Sequence, residues 1–338
     1  MKFTLPRTMK AVRQLEAGGE LTVVELPLPN PGKGEVLVRM AASPFNPSDL
    51  SLLKGVNLEK PVYPLTPGLE GSGTVVASGG GVLADLRMGK RVTCSSTEGY
   101  GGTWAEYMLT SAMRVIPIKK TIGMEQGAML IVNPMTALAF MNIAKEGRHK
   151  AIVNNAAASV LGKMLIKLCA GSQLPLINIV RRNEHVEMLK KQGAEYVLNS
   201  EDEDFEIRLK ELTHQLHATL LFDAVGGNQT AKLVDAAPYG STIVVYSNMS
   251  DEPFSIEPRT LIQADKSIKS FFLGGWASKR SILQTLKAAR QVQALAGDEL
   301  SSKVQKRYPI EQADEALNYY LNHMTGGKVL LVMDDTMK

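Results

Sequence analysis

The chain has 338 residues, and 38 lysines and arginines against 34 aspartates and glutamates leave a formal charge of only +4. So mild a balance, without a basic run interleaved with aromatics, argues against a nucleic-acid partner, and two cysteines, Cys94 and Cys169, exclude a disulfide framework or a four-cysteine zinc lobe. No apolar stretch approaches membrane-spanning length and Met1–Lys10 lacks the apolar core of a signal peptide, so a soluble, cytoplasmic protein is expected. The length allows two domains with separate cores.

The segments Met9–Arg13, Leu21–Glu25 and Gly34–Met40 read as antiparallel strands, with Pro27, Pro29 and Pro31 between them. A short helix should follow Pro47 and run through Leu53, before a proline-rich loop from Gly55 to Pro67. Gly68, Gly71 and Gly73 mark backbone positions that a side chain would spoil. Further short strands at Lys90–Thr93 and Val115–Pro117 complete a Gly/Pro-rich β domain. From Thr121 the texture changes to helices, over Met124–Leu130 and Met135–Ala144, and then to alternating strands and helices. Strands are expected at Ala151–Asn155, Leu174–Val180, Tyr196–Leu198, Leu220–Val225, Ser241–Ser247 and Ile268–Leu273, which argues for a doubly wound parallel sheet. A long amphipathic helix over Lys279–Ala296, a helix over Glu311–Met324 and a terminal strand at Lys328–Val332 close the chain, the strand returning to the first domain.

The stretch Ala151–Arg182 carries the chemistry. A buried-type strand leads into Ala156-Ala157-Ala158-Ser159, and a helical period begins at Val160. Such a strand–turn–helix presents free backbone N–H groups and a positive helix end to a pyrophosphate. Alanines stand where glycines are usual and only Gly162 remains, so an ordinary βαβ crossover is the competing reading. At the end of the second strand, where an acid would hold the ribose hydroxyls, Arg181 and Arg182 stand instead. Guanidinium groups there pair with a 2′-phosphate, which points to NADPH, unless the two are simply solvated. His214 and His217 have ligand-like spacing, but a solvated helix face explains them as well.

These segments, in this order, resemble the medium-chain dehydrogenase/reductase superfamily. The resemblance is carried by Asn46-Pro47-Ser48-Asp49, Pro67-Gly68-Leu69-Glu70-Gly71-Ser72-Gly73, Gly102-Thr103-Trp104-Ala105-Glu106-Tyr107, Asn133-Pro134-Met135-Thr136-Ala137, Asp223-Ala224-Val225-Gly226-Gly227 and Gly327-Lys328-Val329. It implies a doubly wound, six-stranded Rossmann domain over 125–300 and a GroES-like, mainly-β catalytic domain over 1–124 and 301–338. The chain is most similar to the quinone oxidoreductase and mitochondrial-type enoyl-thioester reductase branches, and Phe271-Phe272-Leu273-Gly274-Gly275-Trp276 leans to the second. The superfamily's zinc alcohol dehydrogenases carry metal ligands where this chain has Asn46 and Leu69, so a zinc-free reductase is implied.

Expected site residues follow from the resemblance. Asn46 either reaches a substrate carbonyl or ribose, or holds the turn before Pro47. Thr136 lies beside the nicotinamide unless its hydroxyl is spent on the helix backbone, and Asn133 precedes it in the same element. Asp49 and Glu70 resemble buried acids whose role is structural ion pairing. Tyr63 either substitutes for the acid tyrosine that enoyl-thioester reductases carry slightly earlier in the loop, near Val56 and Asn57 here, or packs. Cofactor contacts are expected from Ser159, Val160 and Leu161 at the turn, Arg181 and Arg182, Asn199 and Ser200 on the adenosine side, and Val225, Gly226 and Gly227 under the ribose and nicotinamide. Tyr246 and Phe272 at strand ends, each open to a packing role, and Lys328, otherwise a solvated lysine, complete the set. The expected activity is NADPH-dependent reduction of quinones or activated C=C bonds. The alternatives are an enoyl-thioester reductase and a non-catalytic NADPH-binding protein. A homodimer joined through Ser267–Leu273 is implied as well.

Overall fold

The computed structural model describes residues 3–56, 61–96 and 101–333. The chain divides into two compact units, Met1–Met135 with Ala289–Lys338 and Thr136–Ala288, where the sequence suggests 1–124 with 301–338 and 125–300.

The first unit opens with an antiparallel ribbon of β1 (Thr8–Gln14) and β2 (Leu21–Pro27). Then follow β3 (Glu35–Pro44), α1 (Pro47–Leu53), β4 (Glu70–Ser78), α2 (Val82–Arg87), β5 (Arg91–Ser95), β6 (Tyr107–Ser111), β7 (Val115–Pro117) and α3 (Met124–Gly127), and α4 (Val132–Glu146) begins in this unit and belongs to the second from Thr136 on. The expected third strand stops at Met40, but β3 runs on to Pro44. Ala41 and Ala42 are buried and small enough for the chain to continue through a register shift between Met40 and Ala42. The strand serves three partners, β4, β6 and, near its end, the final strand of the chain. Val36, Val38 and Met40 pack with Val75, Val92, Met108 and Val115 in one core cluster. Gly68 has φ +99°, and a β-carbon there would lie 2.4 Å from Thr103 Oγ1 and from Trp104 Cδ1, so the turn before β4 accepts only glycine.

The second unit alternates as the periodicity requires: β8 (Ala151–Asn154), α5 (Val160–Ser172), β9 (Leu176–Val180), α6 (Asn183–Lys191), β10 (Tyr196–Asn199), α7 (Phe205–Gln215), β11 (Ala218–Asp223), α8 (Gly227–Ala236), β12 (Thr242–Val245), α9 (Pro258–Gln263), β13 (Ser267–Ser270) and α10 (Leu273–Ser278). All six strands are parallel, in the order β10-β9-β8-β11-β12-β13. The order reverses on either side of β8, so the C-terminal strand ends open where ligands bind in such sheets. Ala151, Val153, Ile177, Ile179, Leu221 and Ile243 face Phe205 and Leu209 of α7 and Leu233 and Val234 of α8. On the opposite face Phe140 of α4 stacks on Phe222, with ring centres 3.9 Å apart.

The last expected strand of this sheet, Ile268–Leu273, is shorter than expected. β13 ends at Ser270 and Leu273 already belongs to α10. Phe271 still donates its N–H to Val245 O and turns its ring onto Phe140, whereas Phe272 caps α10 with its side chain 76% exposed. Core packing of Phe272 is therefore corrected. The long helix begins later than Lys279, as α11 (Ile282–Leu295). Ser281 and Gln284 form a reciprocal cap there, Ser281 N–H to Gln284 Oε1 and Gln284 N–H to Ser281 Oγ, which sets the start of the helix. β14 (Val304–Pro309), α12 (Ala313–Asn322) and β15 (Lys328–Val332) follow, and β15 pairs with both β14 and β3. The terminal strand thus returns to the first sheet as its sequence suggests. No described helix is long and apolar enough to cross a membrane.

Candidate active site

The turn after β8 is built for a close approach. Ala156 sits at φ +50°, a left-handed conformation that glycine adopts freely and alanine at a cost of roughly 1–2 kcal/mol. Ser159 caps α5: its Oγ accepts from Gly162 N–H at 3.1 Å. A β-carbon on Gly162 would stand 2.3 Å from Ala157 O, so the helix can press onto the turn only because that residue is glycine. Ser159 N–H closes the turn onto Ala156 O at 2.9 Å. Of the three expected amides, that one is spent, while those of Val160 and Leu161 lead the helix with no intrahelical acceptor. A 13-residue helix with two free leading amides, behind a turn of methyl side chains, fits a dinucleotide pyrophosphate.

A buried carboxylate, whose role the sequence reading did not isolate, joins this turn to the next. Asp223 Oδ1 accepts from Asn155 Nδ2 at 2.5 Å, Val225 N–H at 2.8 Å and Gly226 N–H at 3.1 Å, while Oδ2 accepts from Thr230 Oγ1 at 2.5 Å. Asn155 Oδ1 in turn accepts from Ala224 N–H at 2.7 Å. Four donors on one carboxylate explain how it is held fully buried without a cationic partner. The same bonds hold Val225, Gly226 and Gly227, the last two at φ +75° and +54°. Tyr246, at the end of β12, donates its N–H to Asp223 O and its hydroxyl to Asn154 Oδ1 at 3.4 Å. Burial, and then the charge of Asp223, raise the Tyr246 hydroxyl far above the usual phenol range.

At the end of β9, Arg181 and Arg182 are both exposed. Arg182 opens α6 and lies 3.3 Å from Glu184 Oε1. Arg181 has no partner among the described residues and is the freer guanidinium. Asn199 is buried, donating to Asn183 Oδ1 at 2.8 Å and accepting from Glu201 N–H at 3.1 Å, and Ser200 N–H returns to Val180 O. These residues therefore gather at the C-terminal strand ends of one sheet. Phe272 stands apart at the edge, beyond β13.

The first unit holds a buried charge cluster. Asn46, extended at φ −127°, precedes α1, and its N–H donates to Asp49 Oδ2 at 2.8 Å. Asp49 Oδ1 accepts from Leu69 N–H at 3.0 Å. Asn46 Nδ2 donates to Glu70 Oε1 at 3.1 Å, while Glu70 Oε2 accepts the N–H groups of Ile131 and Val132, each at 3.0 Å. Glu70 thereby caps the first turn of α4. Lys328, 3% exposed, donates to Asn46 Oδ1 and, at 3.3 Å, to Phe45 O. The sequence leaves Lys328 open between a cofactor contact and a solvated lysine; its ammonium is buried on Asn46, which corrects the solvated reading. Burial is also the largest influence on each charge. It pushes Asp49 up to about 7, with Glu70 adding to the rise and Lys328 opposing it. It raises Glu70 against the pull of Lys328 and lowers Lys328 against Glu70 and Asp49.

The remaining expected residues are placed as follows. Asn133 lies half-buried in the first turn of α4 and Thr136 buried in the second. Tyr63 is half-buried, its hydroxyl has no partner among the described residues, and it lies 3.3 Å from where a β-carbon on Gly55 would stand. Val56 is exposed, and Asn57 lies outside the described residues. His214 lies in the last turn of α7 and His217 beyond its end. No group of three or more His, Cys, Asp or Glu is arranged to hold a metal ion among the described residues. The Asp223 hub had a usable signal: an acid at a strand end three residues before a Gly-Gly pair, with Asn154-Asn155 at the end of another strand.

Two outcomes follow. Ala156→Gly should raise the unfolding free energy by up to about 1 kcal/mol in urea titrations, because relief of the left-handed alanine outweighs the added chain entropy. For Asp49, the folded carboxyl keeps its proton to about 7 and the unfolded one loses it near 3.8, so stability falls as pH rises through that window. Asp49→Asn should be less stable than the wild type at pH 4, since its amide offers one acceptor to two backbone donors. The gap should close by up to about 1.4 kcal/mol per unit towards pH 7, as measured by urea midpoints across the range.

Two family models match the chain: alcohol dehydrogenase GroES-like domain over residues 32–120 and zinc-binding dehydrogenase over 160–288. A mitochondrial enoyl-[acyl-carrier-protein] reductase of Arabidopsis thaliana is 29% identical over 308 residues, covering 89% of this chain and 81% of that protein. A crystal structure of a Mesorhizobium loti protein assigned as an NADPH:quinone reductase superposes with a TM-score of 0.92 at 31% identity, over 98% of this chain and 100% of the other. A mycobacterial protein solved in complex with NADPH shares the fold, with a TM-score of 0.83 at 24% identity over 96% and 100% of the two chains. The motifs, the sheet topology and these likenesses agree: the chain belongs to the medium-chain dehydrogenase/reductase superfamily, whose members are oxidoreductases using nicotinamide cofactors.

Proposed function

We propose that the protein is a zinc-independent, NADPH-dependent reductase of quinones or activated C=C bonds such as enones. The observation that carries this reading is the state of Asn46 and Glu70. Asn46 and Leu69 replace metal ligands with side chains that do not bind zinc, and the Glu70 carboxylate is already spent on Asn46 and on two amides of α4. That donor set does not fit a metal; the Asn46 amide, buried between Glu70 and Lys328, is the group this reading assigns to the substrate carbonyl. The cofactor, when bound, supplies the hydride. The Val160 and Leu161 amides and the α5 N-terminus hold its pyrophosphate, and Arg181, with Arg182 beside it, takes the 2′-phosphate. Asn199, Ser200, Val225, Gly226, Gly227, Tyr246 and Lys328 belong to the same expected set, with Asn133 and Thr136 at the nicotinamide end. The substrate oxygen gains charge as hydride arrives and needs a donor there, and water or Tyr63 supplies the proton.

The likeness to an enoyl-[acyl-carrier-protein] reductase over most of the chain supports a second reading, in which the activated double bond belongs to an enoyl thioester. Oxidation of NADPH with a quinone, an enone and a 2-enoyl thioester in parallel discriminates the two. Turnover confined to the thioester would select the second reading. Binding of NADPH without turnover of any would leave only a cofactor-binding protein. We also propose a homodimer joined through β13, which pairs only with β12 among the described residues; a monomeric mass in solution would contradict it.

Arg181→Ala should weaken NADPH binding by about 10- to 100-fold and NADH binding little, since one charge-assisted phosphate contact is lost. Fluorescence titration with each nucleotide measures this. Equal losses for both would remove the 2′-phosphate assignment.

A further inference from the structure

The two arginines after β9 do not stand in the same state. Arg182 occupies the N-cap of α6, and Glu184, in the first turn of that helix, accepts from its Nη1 at 3.3 Å. The same carboxylate oxygen lies 3.7 Å from Nε2 of His185, whose side chain is only 14% exposed. Arg181 has no such partner among the described residues. An acid in the first turn of α6 suits the helix dipole, but that role alone requires neither contact. Burial lowers the His185 imidazole, Glu184 opposes it, and Arg182 and Lys163 of α5 add to the fall. At neutral pH the charge that Glu184 holds is therefore that of Arg182. Both members of this pair are mostly exposed, at 60% and 67%. An ion pair so placed is weak, and separating it lowers the affinity of a competing anion by about two- to fivefold.

We infer that Glu184 is a specificity-determining residue: it withholds Arg182 from the 2′-phosphate and so limits how strongly NADPH is preferred to NADH. This rests on the NADPH reading above. A 2′-phosphate at this strand end meets Arg181 ready to pair and Arg182 already engaged. It draws the Arg182 guanidinium from Glu184, because a phosphate carries more charge than a carboxylate and offers the fork two oxygens. NADH has no such group and leaves the pair closed. Glu184 acts here through Arg182 and needs no contact with the cofactor. His185 reports the exchange: when Arg182 leaves, Glu184 remains beside the imidazole and favours its protonated form.

The test measures dissociation constants of NADP+ and NAD+ by calorimetry for the wild type, Glu184→Gln, Arg182→Ala and the double variant. Both side chains are exposed, so the variants should fold as the wild type does. Glu184→Gln should tighten NADP+ binding by about two- to fivefold and leave NAD+ binding as it is. Arg182→Ala should weaken NADP+ binding, and in that background Glu184→Gln should bring no gain. Three results overturn the inference. NADP+ binding unchanged in Glu184→Gln removes the competition. A loss of NAD+ affinity of about threefold or more in Glu184→Gln makes the carboxylate a direct ligand of the ribose hydroxyls. A gain that persists without Arg182 reduces Glu184 to simple repulsion of the phosphate. The imidazole 1H signals of His185 give a second readout. Their titration midpoint should fall in nucleotide-free Glu184→Gln, and in the wild type it should rise with NADP+ and stay in place with NAD+. A His185 indifferent to NADP+ overturns the inference without reference to any variant. A wild type that binds neither nucleotide removes the NADPH reading itself, whereas tight NADP+ binding that Glu184→Gln does not alter removes only the role given to Glu184.

Discussion

The first unit depends on the burial of three ionisable groups around one amide. Asp49, Glu70 and Lys328 lie out of solvent on α1, β4 and β15, three elements distant in the chain. An ion taken from water without a partner costs several kcal/mol, and removing one member of a buried set typically costs 3–5 kcal/mol. The carboxylates are therefore surrounded by backbone donors from Asn46, Leu69, Ile131 and Val132. These contacts tie the start of α1, the start of α4 and the final strand to one point. The burial that makes the cluster costly also holds the Asn46 side chain in a single orientation.

The second unit solves a related problem with one charge instead of three. Asp223 has four donors and no cationic partner among the described residues, and the donors come from three segments: Asn155 beside the turn after β8, Val225 and Gly226 in the turn after β11, and Thr230 in α8. Charge-assisted bonds in a low-dielectric interior are strong enough to align two turns from non-consecutive strands. The turn after β8 carries strain at Ala156 that its neighbours sustain. The absence of the usual glycine spelling therefore changes local stability without opening the turn, because Gly162 still lets helix and turn approach.

Local signals located the elements well. Apolar periodicity and glycine or proline punctuation place most strands and helices, and the parallel sheet follows from their alternation. Errors fall where tertiary contacts override local pattern. β3 continues past Met40 because β15 supplies a partner at Ala42–Pro44. The strand ending at Leu273 stops early because Phe271 turns inward while Phe272 begins a helix. α11 starts after a serine–glutamine cap within a stretch whose helical period begins sooner.

By itself the sequence determined the order of elements, the small-residue turn before α5, the basic end of β9, and the presence of Asn46 and Leu69 where the resemblance implies metal ligands. These are properties of residue type and spacing along a few turns of chain. Only the tertiary structure decided which amides of the turn stay free, that Asp223 joins two turns, and that Lys328 lies against Asn46 rather than in solvent. Asn46 and Lys328 are separated by most of the chain, and no periodicity encodes a bond between them. The pairing of β15 with β3 creates it, and the cost of leaving an ammonium unpaired in the interior keeps it.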